Sequence, residues 1–195
     1  MSNKILLVTG ARGRIASALI PMLRDRGYEI ITASRHGGQD YLSYDILDQP
    51  IIINKISIVL HLAWSTVPRV SSLGRGIEWQ EDLPLLIRLL SSFRTLRNKQ
   101  LDPVQVIFFS SCGAILENLI PSTSAGKIVS EPAGWYGLAK LHAEQILQKA
   151  ALEDAFISTI LRLSNLYGYH DLANQPQGLI PHLVASALNK KPFVR

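Results

Sequence analysis

Short, nearly continuous apolar runs alternate along the chain with stretches whose apolar residues recur every three to four positions. The runs are KILLVT (4–9), YEIITAS (28–34), SIVLHLA (57–63), VQVIFFSS (104–111) and FISTILRL (156–163). Each is aliphatic or aromatic in character and shorter than a typical helix, so each predicts a strand buried on both faces. DYLSYD (40–45) predicts one more short strand. Helical spacing falls at 14–26, 78–97, 136–152 and 178–190. Gly27 supplies a stop for the first helix, Pro21 lies inside it, and Pro84 stands early in the second. Strand and helix alternate, which predicts an α/β fold: a doubly wound, Rossmann-like parallel sheet with helices on both faces. No internal repeat or low-complexity linker interrupts it. Residues 118–134, rich in Pro, Ser and Gly, predict a single long loop ahead of the 136–152 helix.

Composition narrows the class. Of 195 residues, 47% are hydrophobic and 18% charged, which is enough apolar material for a well-buried domain and argues against disorder. The net charge is +5. The basic residues are scattered, and the densest group (Arg88, Arg94, Arg97, Lys99) has the spacing of one helix's wet side, so nucleic acid is not the expected partner. A small phosphate-bearing ligand suits the charge equally well. The single cysteine, Cys112, excludes an internal disulfide and fits a reducing, cytoplasmic setting. The apolar run before Gly10 is too short for a signal peptide, and no stretch approaches the roughly 18 apolar residues of a membrane span.

The candidate chemistry begins at TGARGRIAS, which joins the first strand to the first helix. Gly10 and Gly13 permit a tight turn and close approach of a pyrophosphate to the backbone, and the helix N-terminus turns free N–H groups toward it. Arg12, Arg14 and Ile15 belong to the same candidate cofactor site, and Ala16 is the small residue where helix packs on strand. At the end of the second strand, where an acidic residue would read the ribose 2′-hydroxyl of NAD, the chain has Ser34, Arg35 and His36. A guanidinium there suits a 2′-phosphate and hence NADP ahead of NAD, with Arg12 as a second clamp; the alternative is a surface arginine. Asp45, followed by Ile46, either reaches an adenine amino group or is a turn residue. Farther on, Tyr136 and Lys140 stand four residues apart, on one helix face one turn apart. Spacing alone leaves a solvated helix face and a functional pair both open.

Five markers occur in order: TGARGRIA, HLAWSTVP, FFSSCGA, YGLAK and LRLSNLYG. With them the chain resembles the extended short-chain dehydrogenase/reductase family, in its NAD-dependent epimerase/dehydratase branch, which acts largely on nucleotide sugars. The resemblance runs from the first strand to about residue 190. It implies Tyr136 as acid/base, Lys140 as its partner, and Ser111 as the hydroxyl that bonds the reacting oxygen. It implies a cofactor lined by Leu62, Ala63 and Trp64, with Leu163 and Ser164 on the nicotinamide side and Asn165 facing substrate. The chemistry is coherent: hydride transfer at a carbinol carbon needs the hydroxyl proton removed, and a nearby ammonium favours the phenolate of a Tyr.

The departures are specific. Leu116 and Glu117 stand where the family has Tyr-Gly. A shifted register would put Cys112, a poor donor, at the catalytic hydroxyl position and against the substrate. His61 reads as a packed, satisfied residue without a catalytic role. Cys112 and Gly113 follow Ser111 where 4,6-dehydratases carry Asp-Glu, which argues against water elimination. The chain stops at KKPFVR, so residues 176–195 read as the start of a C-terminal substrate-binding portion that is largely missing, either a fragment's end or a reduced domain. Apolar surface left where that portion packs would favour a homodimer. The resulting expectation is a nucleotide-sugar epimerase or ketosugar reductase using NAD(P). The alternatives are an NADP(H)-sensing module without turnover and a reductase of a non-sugar carbonyl compound.

Overall fold

The computed structural model describes residues 4–67, 76–115, 118–121, 128–132, 134–152, 156–164, 166–167, 179–190 and 192. The chain forms two compact units, Met1–Arg162 and Leu163–Arg195.

In the first unit, β1 (Ile5–Thr9), β2 (Glu29–Ala33), β3 (Ile56–His61), β4 (Val104–Ser111) and β7 (Phe156–Leu163, running into the second unit) make one sheet in the order β2-β1-β3-β4-β7. β1 pairs in parallel with both β2 and β3, and β3 in parallel with β4. The five apolar runs are thus the five strands of the sheet. Alternate residues of β1 feed two cores. Leu6 and Val8 pack with Ala16 and Ile20 of α1 (Arg14–Asp25), whereas Leu7 joins Val59, Phe108 and the other helices' apolar faces. Ala16 is fully buried, as its place between helix and strand requires.

DYLSYD does not make a strand. Leu42 forms a single parallel bridge to Ala33, and the chain then turns into a 3-10 helix, Tyr44–Asp48. Two glycines with positive φ, Gly37 and Gly38, bend the backbone, and the Ser43 Oγ accepts the Asp45 N–H as a cap. Those local bonds outcompete a ladder. A short helix α2 (Pro50–Ile53) leads to β3.

The helix expected at 78–97 opens with a π-helical turn, Glu78–Asp82, and continues as α3 (Leu83–Leu96). After β4 comes the one-turn α4 (Cys112–Ile115). The stretch expected as one loop contains a hairpin, β5 (Asn118–Pro121) antiparallel to β6 (Ile128–Glu131), with Ile120 opposite Val129. Four-residue strands flanked by Pro, Ser and Gly are too short to stand out from loop composition. α5 (Trp135–Ala151) carries the Tyr-Lys pair. In the second unit, α6 (Leu179–Leu188) is the described helix.

Candidate active site

The chain leaves β1 for β2 on one side of the sheet and returns to place β3 on the other. The carboxyl ends of β1 and β3 are therefore a topological switch point, where open α/β sheets hold ligands. A cavity of about 610 Å³ lies there. The glycine turn after β1 (Gly10, Arg12, Gly13) forms one wall, and Leu62, Ala63 and Trp64 after β3 form the facing one. Ser34, Arg35 and His36 bring in the end of β2.

The two main walls nearly touch. Gly10 has φ +67°, and a Cβ placed on it would stand 2.6 Å from the Ala63 backbone nitrogen. Only glycine fits on both counts. Gly13 caps α1 with no side-chain hydrogen bond, and the first turn of α1 carries no acidic residue, which leaves the positive helix end open to an anion. The Gly10 N–H donates to the Tyr44 hydroxyl at 3.1 Å. Three of the cavity-lining residues carry buried polar atoms with no hydrogen-bond partner among the described residues: Ser34 Oγ, Trp64 Nε1 and Asp82 Oδ2. Buried polar groups are normally satisfied, so three unmet ones in a single cavity mark a place shaped for a polar ligand. Glycine cradle, open helix end and unmet donors and acceptors together fit a nicotinamide dinucleotide.

Trp64 lines the cavity and stands against the Tyr-Lys pair. Its indole meets the Tyr136 ring edge-on, centroids 6.4 Å apart. The Lys140 Nζ lies 3.8 Å from the Trp64 ring centroid, 4.6 Å from that of Phe108 and 5.8 Å from that of Tyr136, and it donates to the Phe109 carbonyl at 2.8 Å. Burial pushes the Lys140 amine down to about 7, while Asp82 and Glu144 act in the opposite sense. Burial pushes the Tyr136 phenol up to about 12, helped by the charges of Asp82 and Glu78. The pair is therefore adjacent, as its spacing requires, and burial together with the nearby carboxylates favours the proton staying on Tyr136.

The two carboxylates come from the π-helical turn. Asp82 Oδ1 accepts the Ser65 N–H at 2.8 Å, and Glu78 Oε1 accepts the Thr66 hydroxyl at 2.7 Å. Burial raises the Asp82 carboxyl. His61 is packed and buried, with Nδ1 on the Thr9 hydroxyl at 2.8 Å, but its Nε2 has no partner among the described residues, so it is not fully satisfied by them. Burial, aided by the Lys140 charge, takes its imidazole down to about 3 and keeps it neutral.

The structure thus gathers Gly10, Arg12, Gly13, Arg35, Leu62, Ala63 and Trp64 in one cavity. Arg14 and Ile15, in the first turn of α1, do not line it. Asp45 points to solvent, bonded to the Ser43 hydroxyl and 3.6 Å from Arg88, and Ile46 is buried in the main core; neither lines the cavity. Ser111 ends β4 and its Oγ accepts the Ala114 N–H at 3.4 Å; among the described residues no hydrogen bond joins it to Tyr136. Cys112 begins α4 as a half-buried free thiol. Leu163 ends β7 and opens the second unit. Leu116, Glu117 and Asn165 lie outside the described residues. Tyr44, Ser65, Glu81, Asp82 and Arg88 line the cavity without a signal in the sequence, because only the crossover brings their segments to the sheet ends.

The sequence matches the NAD dependent epimerase/dehydratase family over residues 6–195. The chain belongs to that family. Its fold is that of solved sugar-nucleotide enzymes. A UDP-glucose 4-epimerase from Thermotoga maritima, solved with UDP-glucose, is 23% identical at a TM-score of 0.72, covering 96% of this chain and 64% of that one. A UDP-glucose 4-epimerase from Brucella ovis, solved with NAD, is 26% identical at a TM-score of 0.65, covering 83% of this chain and 52% of that one. A UDP-N-acetylglucosamine 4-epimerase from Methanobrevibacter ruminantium, solved with UDP-N-acetylmuramic acid, is 20% identical at a TM-score of 0.71, covering 98% and 64%. The epimerase-family chain thus spans less than two thirds of the length of these relatives. No curated protein matches it significantly. Among the described residues, no helix is long and apolar enough to cross a membrane.

Proposed function

We propose that this chain holds a nicotinamide dinucleotide between the ends of β1 and β3 and serves hydride transfer at a carbinol carbon of a nucleotide sugar, as an epimerase or a ketosugar reductase. The observation that carries this reading is the glycine turn pressed against Ala63, with unmet buried polar atoms of Ser34, Trp64 and Asp82 around the same cavity. Gly10, Gly13 and the open N-terminus of α1 would hold the diphosphate, and Leu62, Ala63 and Trp64 the neighbouring nucleoside. When bound, the dinucleotide supplies the carbon that accepts or returns a hydride. UDP-sugars are the first substrates to try, since the similar structures include enzymes solved with UDP-glucose.

The side chains of this protein handle the proton. Tyr136, held protonated, is an acid that can give its proton to a sugar oxygen gaining negative charge. In the reverse direction the same phenol must release that proton. Lys140 is the nearby group whose positive charge favours release. Ser111 would donate to the same oxygen and share its charge. The short α4 places Cys112 and Gly113 next, and neither supplies the acid that 4,6-dehydration needs.

One observation favours a second reading, a dinucleotide-binding module without turnover. The Lys140 amine is covered by Trp64 and bonded to a backbone carbonyl rather than directed at Tyr136. A single experiment separates the two. NADH and NADPH are titrated by fluorescence, and UDP-glucose and UDP-N-acetylglucosamine are assayed for epimerisation or reduction, with the parent chain and with Tyr136→Phe. The enzyme reading predicts turnover that falls at least about a hundredfold in Tyr136→Phe with dinucleotide affinity nearly intact. Equal rates in both proteins would overturn the role of Tyr136, and binding with no turnover in either would favour the module.

The NADP preference expected from Arg35 needs a guanidinium free to meet a 2′-phosphate. In the structure that guanidinium is already paired with Glu81, 2.6 Å away, so the choice between NAD and NADP belongs to the pair.

A further inference from the structure

The end of β2 reads Ser34-Arg35-His36 and lacks the acidic residue that, in NAD-binding sheets, accepts the ribose 2′-hydroxyl. A carboxylate from another segment nevertheless pairs with Arg35 beside that strand end. Glu81, from the π-helical turn before α3, lines the same cavity as Ser34 and Arg35. Its Oε2 lies 2.6 Å from the Arg35 Nη2. The Ser65 hydroxyl ties the two together, accepting a short hydrogen bond from Arg35 and standing 3.3 Å from the Glu81 carboxylate. Both partners line the cavity and are about half exposed, at 53% and 46% for Arg35 and Glu81, so a ligand can reach them.

We infer that Glu81 is the residue that decides cofactor choice, supplying across the sheet the carboxylate that β2 lacks and so favouring NAD over NADP. This inference rests on the dinucleotide reading above. The chemistry runs in two directions. A carboxylate accepts a hydrogen bond from a ribose hydroxyl, and it repels a phosphate dianion placed at the same position. Its pairing also neutralises Arg35, the cation that would otherwise attract that phosphate. Arg88 does not replace Arg35 in that role, because it is paired with Asp48 at 2.6 Å and lies near Asp45. Replacing Glu81 with Gln removes the negative charge and releases the guanidinium at once, so the two cofactors should respond oppositely.

The test titrates NADH and NADPH against the parent chain, Glu81→Gln, Arg35→Ala and the double variant. The parent should bind NADH more tightly than NADPH. Glu81→Gln should shift the NADPH/NADH affinity ratio toward NADPH by at least about tenfold, weakening NADH and strengthening NADPH. The double variant should lose the NADPH gain, because no freed guanidinium remains. A parent that prefers NADPH, or a Glu81→Gln variant whose ratio is unchanged while both cofactors still bind, would overturn this inference and leave the dinucleotide site standing. Failure of both cofactors to bind the parent and the variants would overturn the dinucleotide reading and this inference with it.

Discussion

Lys140 is solvated by rings. Trp64, Phe108 and Tyr136 surround its Nζ in place of water, and a single backbone carbonyl takes its hydrogen bond. Cation–π contact offsets desolvation by up to about 2 kcal/mol, which helps a buried amine that titrates near 7 to carry charge at all. The sequence displayed Tyr136 and Lys140 through their four-residue spacing, but their charge states depend on burial and on Asp82, which approaches from a different segment, with Glu78 acting on Tyr136 and Glu144 on Lys140. That is why the pairing itself was legible and the charges around it were not. The sign follows from the causes: burial and two nearby carboxylates both disfavour the phenolate, so Tyr136 keeps its proton through neutral and mildly alkaline pH and loses it only near 12. Ultraviolet difference titration of the parent against Tyr136→Phe, without dinucleotide, should show one phenol missing from the high-pH end. In an Asp82→Asn background its midpoint should move down, because one repelling charge is gone. A midpoint near the ordinary 10 in the parent, or no shift on removing the Asp82 charge, would contradict this electrostatic account.

At the scale of elements, the five sheet strands were readable because each is a short apolar run, although burial on both faces was expected of all five and the edge strands β2 and β7 are only partly buried. The short pieces were not. DYLSYD became a bridge and a 3-10 turn once Gly37, Gly38 and the Ser43 cap acted locally, and the hairpin of β5 and β6 hid in a Pro- and Ser-rich stretch. Glu81 and Asp82 read as the polar start of a helix, and nothing in their own segment says which cavity they line. The helix bearing Tyr136 is placed by a close approach. A Cβ on Gly137 would stand 2.2 Å from the Ala114 carbonyl oxygen and 2.9 Å from the Pro132 Cβ. Ala in place of Gly favours a helix interior by about 1 kcal/mol. Here the clash with a backbone oxygen should outweigh that gain, and Gly137→Ala should destabilise the protein by about 2 kcal/mol or more. Urea unfolding measures it; a stability equal to or above the parent's would show that α5 can shift away from α4 without cost.

For the whole molecule, topology makes the site. The switch between β1 and β3 opens the cleft, the crossover before α3 brings carboxylates to it, and the glycine turn fixes its floor. Fold class and family were legible because the pattern of apolar runs and the ordered motifs are properties of the chain as a sequence. The Arg35–Glu81 pair on which the proposed cofactor choice turns was not, because it joins segments 46 residues apart in the numbering. The central claim is that this cleft is the dinucleotide site and that it leads toward Tyr136. The most direct measurement is a crystal structure of the chain grown with NAD. The account predicts the diphosphate against Gly10 and Gly13, the adenosine ribose within hydrogen-bond reach of Glu81, and the nicotinamide end directed past Trp64 toward Tyr136. NAD bound away from the β1–β3 cleft, or a cleft still empty at saturating NAD, would contradict it.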